Sequence, residues 1–303
     1  MDYIANTFYN IINIFNTDMP EPSLYITDDN EAVTFYNLFD VGYKTMYLPI
    51  NINIELELLK HSKLQVLELQ SRVKEIKNYD HVQGILDNLP ETLKKLSLTY
   101  YKYYNTIIQN EMPEKIANTN KLTYNNIPSN LIELNLNIPE LSQSLNNLPT
   151  TNLQKLSITC HYFDIDIKFL PQSLKVLLLK CENFNQPLDN LPSQLEEVYL
   201  NSNTFNQSLN NLPNSIKTLK LYLSNINDDT HEYIIDKLPS NLEILHLNDN
   251  RLKPNTGNKY IINTLPNFIK TVIIINICVQ NINYLEKTYP HVCFEYFGCE
   301  KIV

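Results

Sequence analysis

The chain has 303 residues, 43% of them apolar, and a formal net charge of −9, enough material for one large domain or two ordinary ones. Four glycines against sixteen prolines argue against flexible linkers and glycine-dependent phosphate loops. The acidic balance, with Lys94-Lys95 isolated among offsetting Glu pairs, argues against a nucleic-acid partner and against an anionic membrane surface.

Five cysteines without a regular framework of spacings point to reduced thiols and a cytoplasmic compartment. Met1-Asp2 with no basic stretch behind it predicts no secretory leader. The longest apolar run, Thr271 to Val279, is far shorter than the ~20 residues that cross a bilayer.

In chain order, residues 2–16 predict a helix, with Ile4, Phe8, Ile11, Ile12 and Phe15 on one face. Pro20 and Pro22 end it. Leu24 to Tyr47 is mixed and apolar, with a turn signal at Asp28-Asp29-Asn30. Residues 1–47 therefore read as an N-terminal cap, partly helical.

Residues 48–280 repeat. The marker is an apolar residue followed by proline, with prolines at 90, 128, 149, 171, 192, 213, 239 and 266, spaced by 38, 21, 22, 21, 21, 26 and 27. A unit of 21–22 residues at this regularity is the signature of a stacked repeat architecture.

The apolar columns line up behind the marker. The residue before proline is Leu89, Ile127, Leu148, Leu170, Leu191, Leu212, Leu238 and Leu265. A second column holds Leu93, Leu131, Leu153, Leu174, Leu195, Ile216, Leu242 and Ile269. A third holds Leu96, Leu134, Leu156, Leu177, Val198, Leu219, Leu245 and Val272, and a fourth Leu98, Leu136, Ile158, Leu179, Leu200, Leu221, Leu247 and Ile274. Five residues on come Tyr103, Leu141, Phe163, Phe184, Phe205, Ile226, Leu252 and Val279.

The third and fourth columns are two residues apart, so they face one side of a strand. Each unit reads as one short strand, a turn and a return path, with the fifth column filling the back of the core. Proline lacks a backbone donor and belongs outside the strand ladder. One such unit orders more backbone than its own apolar contacts can offset, so the units must fold by stacking.

Leu64, Leu67 and Leu69 read as an earlier, worn rung, and Met112-Pro113 as a truncated unit. The two longest late spacings place insertions near Asp228–Tyr233 and Pro254–Ile261, on the return side. Residues 281–303 read as a C-terminal cap: a short helix through Leu285, then Pro290, then an alternating strand from His291 to Phe297.

L-x-x-L-x-L after each Leu-Pro resembles a leucine-rich repeat. Phe184-Asn185-Gln186-Pro187-Leu188 and Phe205-Asn206-Gln207-Ser208-Leu209 resemble its FNIP-type variant, found in amoebae and in the large DNA viruses that infect them. The resemblance covers about Leu64 to Val279. It implies a solenoid horseshoe with a parallel β-sheet on the concave face, irregular return segments on the convex face, and a helical N-terminal cap.

It also implies a non-enzymatic scaffold that binds a protein partner on the concave face, a host protein if the chain is viral. The alternative it raises is a substrate receptor of a ubiquitin ligase, with an F-box-like segment over Phe8 to Pro20. The asparagine usual in leucine-rich repeats is matched by Asn203 and Asn250, whereas Glu182 and Ser224 stand at the equivalent positions of other units. That departure implies a different return path.

The outward strand positions alternate with the buried columns. The candidate partner-binding residues are Glu133 and Asn135, Lys155 and Ser157, Leu178 and Lys180, Glu197 and Tyr199, Lys220 and Tyr222, and His246. Leu178, Tyr199 and Tyr222 place apolar and aromatic groups among charges, as protein-binding patches do. An ordinary sheet surface also uses Tyr and Leu in cross-strand pairs.

Cys160 and Cys181 fall at the same position of successive units, with His161 beside the first. They read either as a metal or disulfide pair or as two small residues at a tolerant position, and no C-x-x-C spacing or fourth ligand accompanies them. Cys293 and Cys299 read the same way. Glu196 and Glu197 are consecutive in a strand and point to opposite faces, which does not suit joint acid–base work. Asn206-Gln207-Ser208 matches a glycosylation sequon inside the repeat motif. No cofactor, metal site or catalytic set is expected.

Overall fold

A computed structural model describes residues 23–25, 44–49, 54, 56–71, 79–100, 122–138, 141, 145, 148, 151–224, 232–249 and 259–298. The expected helix over 2–16, the Met112-Pro113 unit and Asn250 lie outside these residues. The chain divides into an N-terminal unit, residues 1–139 with 147–153, and a C-terminal unit, residues 140–146 with 154–303.

From Pro90 onward one proline turn recurs from rung to rung, whereas the earlier Pro49 ends a strand and pairs with Gln70. Proline's carbonyl accepts the N–H of the second-column residue three positions on: Pro90 from Leu93, Pro128 from Leu131, Pro171 from Leu174, Pro192 from Leu195, Pro213 from Ile216, Pro239 from Leu242 and Pro266 from Ile269, at 3.0–3.2 Å. Proline thus opens a tight turn that delivers the chain into the strand, a position where its missing N–H is not needed. Among the described residues, eight strands are then anchored by a single carbonyl of the preceding rung that takes two N–H groups. Lys175 O, for example, accepts from Glu196 and Glu197 at 2.8 and 3.0 Å.

In the N-terminal unit the strands are β1 (Ser23–Tyr25), β2 (Thr45–Pro49), β3 (Val66–Ser71), β4 (Lys95–Tyr100) and β5 (Glu133–Asn137), paired in parallel in that order. The segment expected as a cap therefore supplies two strands of the ladder. Helices α1 (Leu56–Lys60) and α2 (Tyr79–Asp87) form return paths. Val82, Ile85 and Leu86 bury one face of α2. Gly84 lets α1 approach, since a Cβ there would lie 3.2 Å from Leu56 Cδ1.

In the C-terminal unit β6 (Lys155–Thr159), β7 (Val176–Lys180), β8 (Glu197–Ser202), β9 (Thr218–Leu223), β11 (Ile244–Asn248), β13 (Thr271–Ile275) and β15 (Cys293–Phe297) pair in parallel. The order is open and linear. Leu156, Leu177, Val198, Leu219, Leu245 and Val272 stand in register across it, as do Ile158, Leu179, Leu200, Leu221, Leu247 and Ile274. The periodicity predicted this alignment. Tyr103, Ile226 and Leu252 lie outside the described residues, and all other members of the five columns are at most 8% exposed.

The expectation of irregular return segments is corrected in one place. The late insertions contribute β10 (Glu232–Ile235) and β12 (Lys259–Ile262), which join β14 (Cys278–Val279) in a second, three-stranded parallel sheet. Glu-Tyr-Ile-Ile and Lys-Tyr-Ile-Ile alternate outward and inward positions, and their Tyr233, Ile235, Tyr260 and Ile262 are buried. The extra residues of these longer units are what give the return path room to form strands.

Two further ladders run from rung to rung. The rings of Phe163, Phe184 and Phe205 stack at 5.8 and 6.3 Å, nearly parallel. The stack is continued by Tyr233, whose hydroxyl donates to the Phe205 carbonyl, and by Tyr260 at 5.0 Å. Beside it, Asp164 Oδ1 accepts the Asn185 N–H (2.8 Å) and the Gln186 amide (3.0 Å). Asn185 Oδ1 does the same for Asn206 (2.9 Å) and Gln207 (3.1 Å). The repeated Phe-Asn-Gln is therefore a ring to stack, an amide to accept and an amide to donate.

The turn after β8 is held by Ser202. Its Oγ donates to the Phe184 carbonyl at 2.8 Å and accepts the Thr204 N–H at 3.2 Å. The Asn203 side chain reaches the Glu182 carboxylate at 3.5 Å, and its backbone N–H donates to the Glu182 carbonyl at 2.7 Å. At the C-terminus, α3 (Ile282–Thr288) is the return path between β13 and β15. Gly298 follows with φ +71°, where a Cβ would strike the Asn276 side chain.

Phe184 is fully buried between two rings, whereas Phe169 is 57% exposed. In urea unfolding, Phe184→Ala is expected to lose about 3–5 kcal/mol and Phe169→Ala less than about 0.5 kcal/mol. Equal losses would contradict the stacked core.

Candidate binding face

Every strand presents its alternate residues away from the leucine columns. In the N-terminal unit charged groups on this outer face pair with one another. The Lys95 ammonium lies 2.9 Å from Glu68. Burial opposes its charge, but the hydrogen bond and charge of Glu68, with Glu133 behind, outweigh that and hold the amine above its usual range. Asn135 Nδ2 donates to Glu133 at 3.0 Å. Glu133 and Asn135 are thus on the expected face but engaged with their own neighbours.

In the C-terminal unit the outer face changes character. Lys155 and Ser157 lie on β6, Leu178 and Lys180 on β7, Glu197 and Tyr199 on β8, Lys220 and Tyr222 on β9, and His246 on β11. All sit where the alternation placed them, and most are half-buried by neighbouring side chains.

Four of them form one row. Lys180 Nζ stands 5.6 Å over the Tyr199 ring, Tyr199 lies 4.9 Å from Tyr222, and Tyr222 lies 5.0 Å from His246. Backbone register pairs Lys180 with Asn201, Tyr199 with Lys220 and Tyr222 with Asn248, so the row zigzags straight across the strands, each member offset by two residues from the last. Glu197 is held by Lys220 at 3.0 Å. The adjacent Glu196 turns to Lys217 at 2.8 Å, so the two consecutive carboxylates take separate partners.

Desolvation, with the Lys220 charge behind it, pushes the His246 imidazole below its ordinary range. His246 Nε2 and Asn248 Oδ1 are both shielded from solvent, with no hydrogen-bond partner among the described residues. The strand alternation places Asn248 on the outward face as expected, whereas the apolar continuation of the face through Ile273, Ile275 and Phe297 was not foreseen. The available signal was Thr-Val-Ile-Ile-Ile at 271–275, apolar on both faces of a strand.

Cys160 and Cys181 are buried in neighbouring rungs and are not joined by a disulfide. Burial pushes the Cys181 thiol up, and its Sγ lies 3.6 Å from the Ile158 carbonyl. His161, beside them in sequence, turns to Glu182 at 2.9 Å. Among the described residues no three His, Cys, Asp or Glu side chains gather as a metal site would require. No helix among them is long and apolar enough to cross a membrane.

Compared with known proteins, the chain matches no family model and none of the curated proteins. The leucine-rich-repeat resemblance therefore rests on the residues that carry it.

Two measurements check this geometry. With its native pKa below the ordinary 6.5, His246 takes up a proton in the unfolded chain first. The native state should then lose stability as pH falls through about 6.5, and His246→Gln should remove that component. An NMR titration midpoint for His246 at or above 6.5 would contradict it. In thiol labelling of the native chain, exposed Cys293 should react promptly while Cys160 and Cys181 react only after denaturation; rapid labelling of either buried thiol would contradict their placement.

Proposed function

We propose that this chain is a non-enzymatic leucine-rich-repeat protein of the FNIP-like type that holds a protein partner on the outer face of its C-terminal sheet. The repeated unit of proline turn, strand and return path supports the repeat class, with the sheet as the concave, ligand-facing side of a solenoid. Cys160 and Cys181, adjacent in the ladder and not joined by a disulfide, support a reducing compartment.

The observation that carries the binding reading is the continuous row Lys180, Tyr199, Tyr222 and His246. It lies on strands whose opposite face already holds the leucine core, so burying these rings is not needed to seal the fold. Aromatic groups at the centre with charges around them are the composition that interface cores favour. Ile273, Ile275 and the 53%-exposed Phe297 add apolar surface on the adjoining strands.

Affinity capture from the native cell, repeated with Tyr199→Ala plus Lys220→Glu, tests the reading. Binding predicts loss of the partner at least about a hundredfold while the urea midpoint shifts little. Rings that serve only cross-strand pairing would instead lower stability and leave the captured partner unchanged.

A further inference from the structure

Charge is segregated on the outer face of the C-terminal unit. From β6 through β13 its outward positions carry Lys155, Lys180 and Lys220 against one carboxylate, Glu197, on a chain of net charge −9. Glu197 is already bound to Lys220. Lys180 has no carboxylate partner among the described residues, and its ammonium rests on the Tyr199 ring. The nearest carboxylate along the chain, Glu182, is taken by His161.

At the other end of the row lie two shielded polar atoms without partners, His246 Nε2 and Asn248 Oδ1. Unsatisfied polar atoms on a shielded surface are a standing cost that a ligand's donors and acceptors remove. The row therefore presents a cation, then two adjoining rings tilted 32° to each other, then an imidazole nitrogen and an amide oxygen without partners among the described residues. Its steps of 5.6, 4.9 and 5.0 Å match roughly five residues of extended chain at ~3.3 Å each.

Resting on the binding-face reading above, we infer that this row takes an extended acidic peptide segment of the partner. Its Asp or Glu carboxylate sits on Lys180, an apolar or aromatic residue lies across Tyr199 and Tyr222, and its backbone amide groups satisfy His246 and Asn248. A basic segment would set its charges against three lysines. A nucleic-acid strand would need several free cations to hold its phosphates, and one unpaired lysine does not supply them. Pairing as an added strand does not apply, because this face offers side chains and not open backbone.

A phage-displayed library of linear random peptides, panned in parallel on the full chain, on Tyr222→Ala and on Lys180→Glu, tests the inference. Lys180 is exposed, so its substitution leaves the core untouched. The expected result is recovery on the native chain of peptides with Asp or Glu beside an aromatic or apolar residue. These should weaken about tenfold or more on Tyr222→Ala, and Lys180→Glu should exchange the acidic preference for Lys or Arg. Peptides that need Tyr222 but carry a neutral or basic consensus overturn the charge inference and leave the binding face standing, as does an acidic consensus indifferent to Lys180→Glu. Recovery of no peptide, or of peptides indifferent to both substitutions, overturns the inference and counts against the face itself.

Discussion

No turn of this chain can stand alone, because a strand of five or six residues with one row of leucines orders far more backbone than its own contacts repay. What makes each turn stable is the next one. Parallel pairing in strict register sets Leu on Leu through Leu177, Val198, Leu219 and Leu245, and a slip of one residue would turn every leucine outward. The register is pinned outside the core as well. The turn position before each strand alternates in sign, Lys175, Glu196, Lys217, Glu243, Lys270, with Lys217 bound to Glu196 and Lys270 to Glu243. Each charge thus meets its opposite in the neighbouring rung.

The same constraint creates the candidate site. Once one face of every strand is committed to leucine, the other face is free of packing duty, and its residues are set at fixed spacings by the ladder. In the N-terminal unit that freedom is spent on an internal network around Lys95. In the C-terminal unit it holds a row of rings with an unpaired cation at one end and unpaired polar atoms at the other. Rigid presentation lowers the ordering cost of binding, so a repeat fold of this kind can recognise a segment without glycine-rich loops or moving lids.

The columns were legible because they are periodic, and the candidate face because strand alternation is a strict rule. Three things were not. A sixth buried column stands four residues before each proline, at Leu86, Tyr124, Leu145, Ile167, Leu188, Leu209, Ile235 and Ile262. Its members differ in type, and the eye follows the leucines. The second sheet hid because Glu-Tyr-Ile-Ile and Lys-Tyr-Ile-Ile recur 27 residues apart, off the 21-residue beat. The Lys180–Tyr199–Tyr222–His246 row zigzags between two levels of the register, so knowledge of which residues pair does not give which side chains touch. Asn185 and Asn206 illustrate the converse. Their abundance invited a compositional reading, and their side chains turn out to link rung to rung.

Hydrogen exchange followed by mass spectrometry on Leu200→Ala tests the central claim most directly. Leu200 is fully buried in the middle of the C-terminal ladder. If rungs are stable only through their neighbours, amide protection should fall in β7 and β9 together with β8. Protection lost from β8 alone, with the adjoining strands unchanged, would show that the rungs hold themselves and would contradict the stacking on which both the fold and the face depend.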